Sequence, residues 1–200
     1  MHKRMVIAVT GNPGTGKTTF SNMLSKTTKI KNIEINDLAK KYDTFIAYDK
    51  SLDSNIVDIK KLNKNINNFI KGLDKDIILT GHLAADLKIK YDIAIILRLS
   101  LKKLAERLKK RGYSIKKIQE NLLAEAYDYC SKIKSYAKEA YEVETEEEKK
   151  DIINYIYALE KKDKLLIAKN KNKIKRLKEK QKEHFSEIKE LIKNKNEYKF

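Results

Sequence analysis

The chain has 200 residues, which is enough length for one domain with a buried core. Hydrophobic residues make up 41% of the chain, and its formal net charge is +17. Its single cysteine, Cys130, excludes an intramolecular disulfide, and the apolar run Met5–Val9 is too short for a signal peptide or a membrane span. We therefore expect a cytoplasmic monomer that does not bind membranes.

Elements of the first half alternate between strand and helix. The run Met5–Val9 is rich in β-branched residues and ends in a glycine-rich turn, which predicts a buried strand. A helix with one apolar face follows over about 17–26. The remaining predictions are strands at 32–35, 76–79 and 91–97, a short helix at 38–41 capped by Asn36 and Asp37, an irregular polar stretch at 42–55, and a helix at 56–73.

The second half continues the alternation. The pattern predicts a helix from Ser100 to about Lys110 closed by Gly112, a helix over about 115–139 and a weak strand at 141–144. A last helix begins at a Thr145–Glu148 capping box and runs to about Lys161. Such alternation predicts an α/β three-layer fold with a five-stranded parallel sheet, whose ligands bind at the carboxyl ends of the strands.

A basic segment closes the chain. Residues 163–200 hold thirteen Lys or Arg against six Asp or Glu, and about 164–193 has the apolar spacing of a long amphipathic helix. Asn170, Gln181 and His184 interrupt the apolar stripe, which argues against a strong coiled coil. Because the rest of the chain is basic as well, charge alone leaves open whether the excess reflects an AT-rich genome or a nucleic-acid partner.

The segment Gly11-Asn12-Pro13-Gly14-Thr15-Gly16-Lys17-Thr18 follows a strand and opens a helix, as a phosphate-binding Walker A loop does. Glycines let backbone N–H groups converge on phosphate oxygens, and the start of the helix adds a partial positive charge. We expect Lys17 to reach the outer phosphates of ATP and the Thr18 hydroxyl to bind Mg²⁺. The loop alone does not distinguish an NTPase from a kinase.

A nucleoside-monophosphate kinase also needs an acceptor pocket and arginines that neutralise charge during transfer. The stretch from Asn36 to Asn55 lies where an acceptor pocket is expected. Arg98, Arg107 and Arg111 follow the fourth strand, and the last two are four residues apart on one helical face. For each arginine the alternative is a solvated basic face.

Several segments, in order over about residues 5–145, resemble the small adenylate kinases of the isoenzyme 6 type, found in archaea and eukaryotic nuclei. The matching segments are 7–19 (IAVTGNPGTGKTT), 35–39 (INDLA), Tyr48-Asp49, Gly81-His82, Leu97-Arg98, 106–108 (ERL), 111–114 (RGYS), Lys117-Ile118 and Glu120-Asn121.

The resemblance implies an ATP- and Mg²⁺-dependent nucleoside-monophosphate kinase, chiefly ATP + AMP giving two ADP, with ATPase activity. It implies a P-loop kinase domain at 1–162, with a monophosphate-binding insert at about 33–56 and a short lid at about 107–117, followed by the basic helical extension at 163–200. It also implies a role in maturation of the small ribosomal subunit, with ribosomal protein uS11 and small-subunit rRNA as partners.

By position, the resemblance also implies roles for individual residues. The ATP-binding residues would be Gly14, Gly16, Lys17, Thr18, Thr19 and Arg111, with Thr18 at the metal. The catalytic residues would be Lys17, His82, Arg107 and Arg111. The residues that bind AMP or another nucleoside monophosphate would be Asn36, Asp37, Leu38, Lys40 and Asp49.

Three positions depart from the family pattern. Thr80 stands where the family has a carboxylate that holds Mg²⁺ through water, and Lys40 stands where an Arg is common. The loop at 145–149 is acidic and short, so no contact to adenine is assigned. Thr80 and the basic tail favour a second hypothesis, a ribosome-assembly factor that ATP switches and that has little kinase activity.

Overall fold

A five-stranded parallel sheet organises the first part of this computed structural model, which describes residues 4–175 and 177. The strands in that part of the chain are Val6–Thr10 (β1), Lys31–Glu34 (β2), Phe45–Asp49 (β3), Ser54–Val57 (β4), Ile77–Thr80 (β5), Tyr91–Leu97 (β6) and Ala137–Val143 (β7). The sheet has the order β2-β5-β1-β6-β7, and every neighbouring pair is parallel. The predicted five-stranded parallel sheet is confirmed.

Helices connect the strands of the parallel sheet, as parallel pairing requires, and one further helix follows the last strand. They are Lys17–Thr28 (α1), Ile35–Lys41 (α2), Ile59–Lys71 (α3), Leu101–Lys110 (α4), Ile115–Ala126 (α5) and Glu146–Lys161 (α6), with 3₁₀ segments at His82–Ala85 and Tyr129–Tyr136. The central strands β1, β5 and β6 are almost wholly buried, which explains their continuous runs of apolar residues. Their carboxyl ends therefore have a rigid base.

The chain divides into two units, Met1–Glu144 and Thr145–Phe200. The first unit contains the sheet and helices α1 to α5. In the second unit, the predicted capping box between Thr145 and Glu148 is present at the start of α6. Residues 164–175 are also helical, and Lys173 Nζ lies 3.3 Å from Asp151 Oδ1 of α6. Most of the long helix predicted to residue 193 lies outside the described residues.

The stretch at 42–55, predicted to be irregular, instead contains an antiparallel hairpin of β3 and β4. Ile46, Tyr48 and Ile56 are exposed on the hairpin. Because apolar residues lie on its exposed face, the sequence lacks the alternation of apolar and polar residues that predicts a half-buried strand. Its register also shifts between Phe45 and Ala47, which breaks the pattern further.

Three other element boundaries were predicted wrongly. Asn36 and Asp37 do not cap α2, because the helix begins at Ile35 and Glu34 occupies the N-cap position. The helix predicted over 115–139 ends at Ala126, since Asp128 adopts a left-handed conformation that a continuing helix excludes. The fifth strand is correspondingly longer than predicted and begins at Ala137.

No helix in the described part of the chain combines the length and the apolar character that crossing a membrane requires.

Candidate functional site

The glycine-rich loop connects β1 to α1 at the carboxyl end of the sheet. Gly14 has a φ of 93°, and a Cβ there would lie 3.0 Å from a Leu104 methyl and 3.1 Å from a Leu108 methyl of α4. Only glycine combines that backbone conformation with such close packing. Gly16, with a φ of 98°, forms the N-cap of α1, so the backbone amides that follow point into the open space above the loop.

Lys17 lies at the floor of this loop, where its Nζ donates to the Asn12 carbonyl at 3.0 Å. Burial lowers the pKa of Lys17 to about 8, although the negative charge of Glu34 acts in the opposite direction. A lysine that is removed from water gains more from a bound phosphate than an exposed lysine does, because its charge is less screened.

The loop conformation is held by a buried polar contact that the sequence did not reveal. Asn12 is 3% exposed, and its Nδ2 donates to Glu125 Oε2 of α5 at 2.5 Å. Arg98 lies 3.7 Å from the other carboxylate oxygen of Glu125. The P-loop is thus connected to α5 and to Arg98, the residue that follows β6, through one buried carboxylate.

Thr18 is exposed at the start of α1, and its hydroxyl lies 3.4 Å from Glu34 Oε1 at the end of β2. Partial burial raises the pKa of Glu34, while the hydrogen bond from Thr18 and the charge of Lys17 oppose that shift. Hydroxyl and carboxylate oxygens are the hard donors that Mg²⁺ prefers, so these residues suit a hydrated Mg²⁺ beside a phosphate.

A cleft of about 940 Å³ opens over the loop and lies within the first unit. One side holds the P-loop residues Gly14, Gly16, Lys17, Thr18 and Thr19. The other side holds Glu34, Asn36, Asp37 and Lys40 around α2, and Phe45, Leu52, Ser54, Asn55 and Val57 of the hairpin. The rim holds Arg111, Tyr113, Lys117, Glu120 and Asn121. The volume is at the upper end of the range for ligand pockets, about 300–1,000 Å³.

His82 lines the floor of the cleft, in the 3₁₀ segment after β5. Burial lowers the pKa of His82 to about 4, and the nearby positive charge of Lys17 adds to the shift. The imidazole is therefore neutral at physiological pH, when it can donate or accept a hydrogen bond but carries no charge.

The three arginines that follow β6 have different surroundings. Arg107 Nη1 donates to the Gly14 carbonyl at 3.1 Å and so contacts the loop backbone rather than lining the cleft. Arg111 ends α4 and lines the cleft from the rim. The turn after Arg111 depends on Gly112, whose φ is 74°.

Arg98 does not reach the cleft, contrary to the prediction that grouped it with the other two. It is 5% exposed, and its Nε donates to Glu142 Oε2 at 2.9 Å. It also pairs with Asp128 and donates to Ser131 Oγ at 2.9 Å. A guanidinium held by carboxylates on several segments stabilises the fold and is not available to a phosphate.

Two residues predicted to bind the monophosphate do not line the cleft. Leu38 is 4% exposed and belongs to the hydrophobic core. Asp49 lies at the hairpin turn, where its carboxylate accepts hydrogen bonds from Ser51 and Leu52. The other three, Asn36, Asp37 and Lys40, all line the cleft.

Residues that the sequence analysis quoted from matching segments, but to which it gave no individual role, form much of the rim. Lys117 Nζ donates to the Asp53 carbonyl at 2.7 Å, and Lys116 Nζ donates to Ser51 Oγ at 3.1 Å. These contacts join the start of α5 to the hairpin turn across the cleft. Glu34 was missed as well, although its place at the end of a strand of a parallel sheet was a usable signal.

Residues 7–128 match the model of the AAA domain family. The chain is 44% identical over 126 residues to a protein of Methanocaldococcus jannaschii named "Putative adenylate kinase", a match that covers 63% of this chain and 70% of that protein. A protein of the same name from Methanosarcina barkeri is 35% identical over 162 residues, which cover 76% of this chain and 87% of that protein.

Solved structures share the architecture at low sequence identity. Shikimate kinase from Acinetobacter baumannii, in complex with shikimate, superposes with a TM-score of 0.56 and 13% identity over 82% of this chain and 96% of that chain. Shikimate kinase from Bacteroides thetaiotaomicron has a TM-score of 0.50 and 12% identity over 78% and 97%. These likenesses show a P-loop kinase fold. The family model and the archaeal relatives establish that the chain belongs to the AAA domain family and to an adenylate-kinase-like family.

Proposed function

We propose that this protein is a nucleoside-monophosphate kinase that converts ATP and AMP into two ADP. The observation that carries the proposal is a single cleft with the P-loop on one side and α2 with the hairpin on the other. An ATPase needs room for one nucleotide and a water, whereas a kinase needs a second, separately built pocket. Relatives named as adenylate kinases support AMP as the acceptor.

The reaction requires positioning more than covalent chemistry. An oxygen of the AMP phosphate attacks the γ-phosphorus of ATP, the bond from that phosphorus to the bridging oxygen breaks, and ADP leaves while AMP becomes the second ADP. The attacking phosphate oxygen is already ionised, so no general base is needed. What the protein must supply is alignment and compensation for negative charge.

In this proposal, the amides around Gly14 and Gly16 and the Lys17 ammonium hold the phosphates of ATP. Arg111 closes from the rim, and Thr18 faces the metal. Mg²⁺, when it is bound with ATP, neutralises charge on the phosphates. His82 contributes a neutral hydrogen-bonding group below the γ-phosphate, which agrees with its lowered pKa.

On the acceptor side, Asn36, Asp37 and Lys40 of α2 contact the monophosphate. Lys40 is exposed and acts as a flexible point charge, without the paired hydrogen bonds that an arginine makes. Leu38 supports this helix from the core, and Asp49 shapes the hairpin turn. Arg107 acts on the P-loop backbone, through the Gly14 carbonyl.

The test is an assay of purified protein with MgATP and each of AMP, CMP, GMP and UMP, with nucleotides separated and quantified. We expect ADP formation that depends on AMP, with two ADP produced for each AMP consumed. If ATP yields only ADP and free phosphate at a rate that AMP does not change, the protein is an ATPase and the kinase proposal is wrong.

A role in maturation of the small ribosomal subunit stays a prediction from the sequence resemblance. Binding to uS11 and to small-subunit rRNA, and the ATPase activity, stay predictions as well. The basic segment at 163–200 favours such a partner through its charge. Pull-down of uS11 and of small-subunit rRNA with the ATP-loaded and the nucleotide-free protein tests it. Absence of binding in both states would remove the ribosomal role without affecting the kinase assay.

A further inference from the structure

The strand beside the P-loop strand ends without a carboxylate. β5 pairs with β1 and ends at Thr80, whose side chain is fully buried and donates to Asn32 Oδ1 at 2.7 Å. P-loop NTPases commonly hold Mg²⁺ between the loop Ser or Thr and an acidic residue at the end of a neighbouring strand. The Thr80 hydroxyl is occupied by Asn32 and carries no charge.

A carboxylate is present one strand further out. β2 pairs with β5 in parallel, and Glu34 is the register partner of Thr80. Both residues therefore end their strands at the same level of the sheet. Glu34 Oε1 lies 3.4 Å from the hydroxyl of Thr18, the P-loop residue in question.

This separation is close to what a shared Mg²⁺ demands. Adjacent ligands of an octahedron with bonds of 2.0–2.1 Å are roughly 2.9 Å apart, and a carboxylate that acts through a bound water is farther away. Glu34 at 3.4 Å from Thr18 Oγ1 suits either arrangement after a small movement. Of the acidic residues that line the cleft, Glu34, Asp37 and Glu120, it is Glu34 that contacts Thr18.

A purely structural role, as the cap of α2, does not explain the position of the Glu34 carboxylate. It occupies the N-cap position of α2, yet its side chain makes no capping hydrogen bond. Glutamate is also not among the favoured N-cap residues. The carboxylate instead extends away from its own helix to the start of α1, at the edge of the cleft.

We propose that Glu34 is the carboxylate that orders Mg²⁺ next to Thr18, in place of an acidic residue at position 80. The inference rests on the proposed function, since it assumes that ATP binds to the P-loop. It assigns to this chain a metal-positioning residue on β2, where the usual position lies on the adjacent strand.

The experiment measures metal affinity directly, without turnover. Mn²⁺ replaces Mg²⁺, and its free concentration is followed by electron paramagnetic resonance during titration of the full-length protein saturated with a non-hydrolysable ATP analogue. Glu34→Gln keeps the size of the side chain and removes the charge. We expect Mn²⁺ to bind about 10–100-fold more weakly to this variant, whereas calorimetry in EDTA should show no loss of affinity for the analogue, because a negative charge beside the phosphates has been removed.

The matched control is Glu120→Gln, which removes a carboxylate from the rim of the same cleft. It should change Mn²⁺ affinity by less than about threefold, because an exposed charge that does not contact the metal is screened. An equal loss in both variants would mean that only the net charge of the cleft matters and would overturn the proposal. So would Mn²⁺ affinity in Glu34→Gln that equals the wild-type value.

Thr80→Asp tests whether a carboxylate at the end of β5 can replace the carboxylate of Glu34 at the end of β2. If Glu34 does the work of a carboxylate at position 80, Thr80→Asp should raise Mn²⁺ affinity much more in the Glu34→Gln background than in the wild type. Equal gains in both backgrounds would show that the two positions act independently and would contradict the proposal. Because no AMP is present, the result is separable from the kinase proposal, which fails only when AMP yields no ADP.

Discussion

At the scale of single residues, Lys17 combines a partly buried ammonium with a position at the start of α1. Its Nζ contacts the Asn12 carbonyl, and burial lowers its pKa to about 8. Such a group interacts strongly with a multiply charged phosphate that enters the same cleft. Its neighbours decide how strongly, because Asn12 is held by Glu125 and is not free to move away.

Lys17→Ala should lower turnover by at least ~100-fold, by analogy with the loss of one preorganised donor. The measurement is the initial rate of ADP formation from ATP and AMP. Lys26→Ala is the control, since Lys26 lies on the same helix and is exposed in its last turn. Unchanged turnover in Lys17→Ala would mean that the reaction takes place elsewhere.

The lowered pKa of Lys17 also predicts a pH dependence. Its side chain is charged below about pH 8 and becomes neutral above it. Because kcat/KM reports the free enzyme, kcat/KM for ATP should fall by up to about tenfold per pH unit above that value. In Lys17→Arg the guanidinium stays charged, so kcat/KM, although lower, should be flat from pH 8 to 9.5. A parallel decline in both proteins would assign the pH dependence to another group.

At the scale of elements, the cleft is bordered by two segments that contact each other. Lys117, near the start of α5, contacts both the carbonyl and, at 3.6 Å, the carboxylate of Asp53 at the hairpin turn. Its Nζ also lies 4.3 Å from the centre of the Tyr113 ring. The short lid and the acceptor side are thereby connected over the space where the nucleotides are proposed to lie.

Lys117→Met should weaken this connection while leaving the apolar part of the side chain in place. Asp53 is largely exposed, so solvent screens the ion pair and its contribution is small. The expected result is an increase of up to about fivefold in KM for ATP and AMP together. Lys102→Met, at an exposed position on α4, is the control and should leave both KM values unchanged. An increase for one nucleotide alone would mean that Lys117 contacts that nucleotide and does not join the two segments.

At the scale of the whole molecule, the kinase domain predicted at 1–162 and the two units of the structure end at different points. The second unit begins at Thr145, and the helical residues 164–175 belong to it. Ile174 and Leu177 are 3% and 4% exposed, so both side chains are buried. A boundary after Lys162 would leave these residues outside the domain.

A chain that ends after Lys162 should therefore be less stable than one that ends after Leu177. Removal of two buried aliphatic side chains costs about 3–6 kcal/mol, at 1.5–3 kcal/mol for each. That loss should lower the melting temperature by at least ~6 °C for a protein of this size. Differential scanning calorimetry of both chains makes the comparison. Equal melting temperatures would support a domain boundary at 162/163.

The sequence by itself determined the P-loop, the five-stranded parallel sheet and the capping box of α6. The loop and the capping box are local, because each depends on residue types within a few positions of one another, whereas the parallel sheet follows from the alternation of strands and helices along the chain. It also predicted that His82 and Arg111 line a common site, through the family resemblance and not through spacing.

Only the tertiary structure decided which of the predicted residues face the cleft. Arg98 lies in a buried ion-pair network, and Leu38 lies in the core. Glu34 contacts Thr18, and Lys117 contacts Asp53. Each of these contacts joins segments that are distant in sequence, so it depends on strand order and on how helices pack, which periodicity does not encode.

The phosphate loop shows the same division. Its glycines and lysine are evident in the sequence. The carboxylate proposed to complete the metal site lies on β2, and β2 ends near the loop only because this strand pairs with β5. A parallel sheet brings the ends of all its strands to one edge, but only the pairing order determines which side chains meet there.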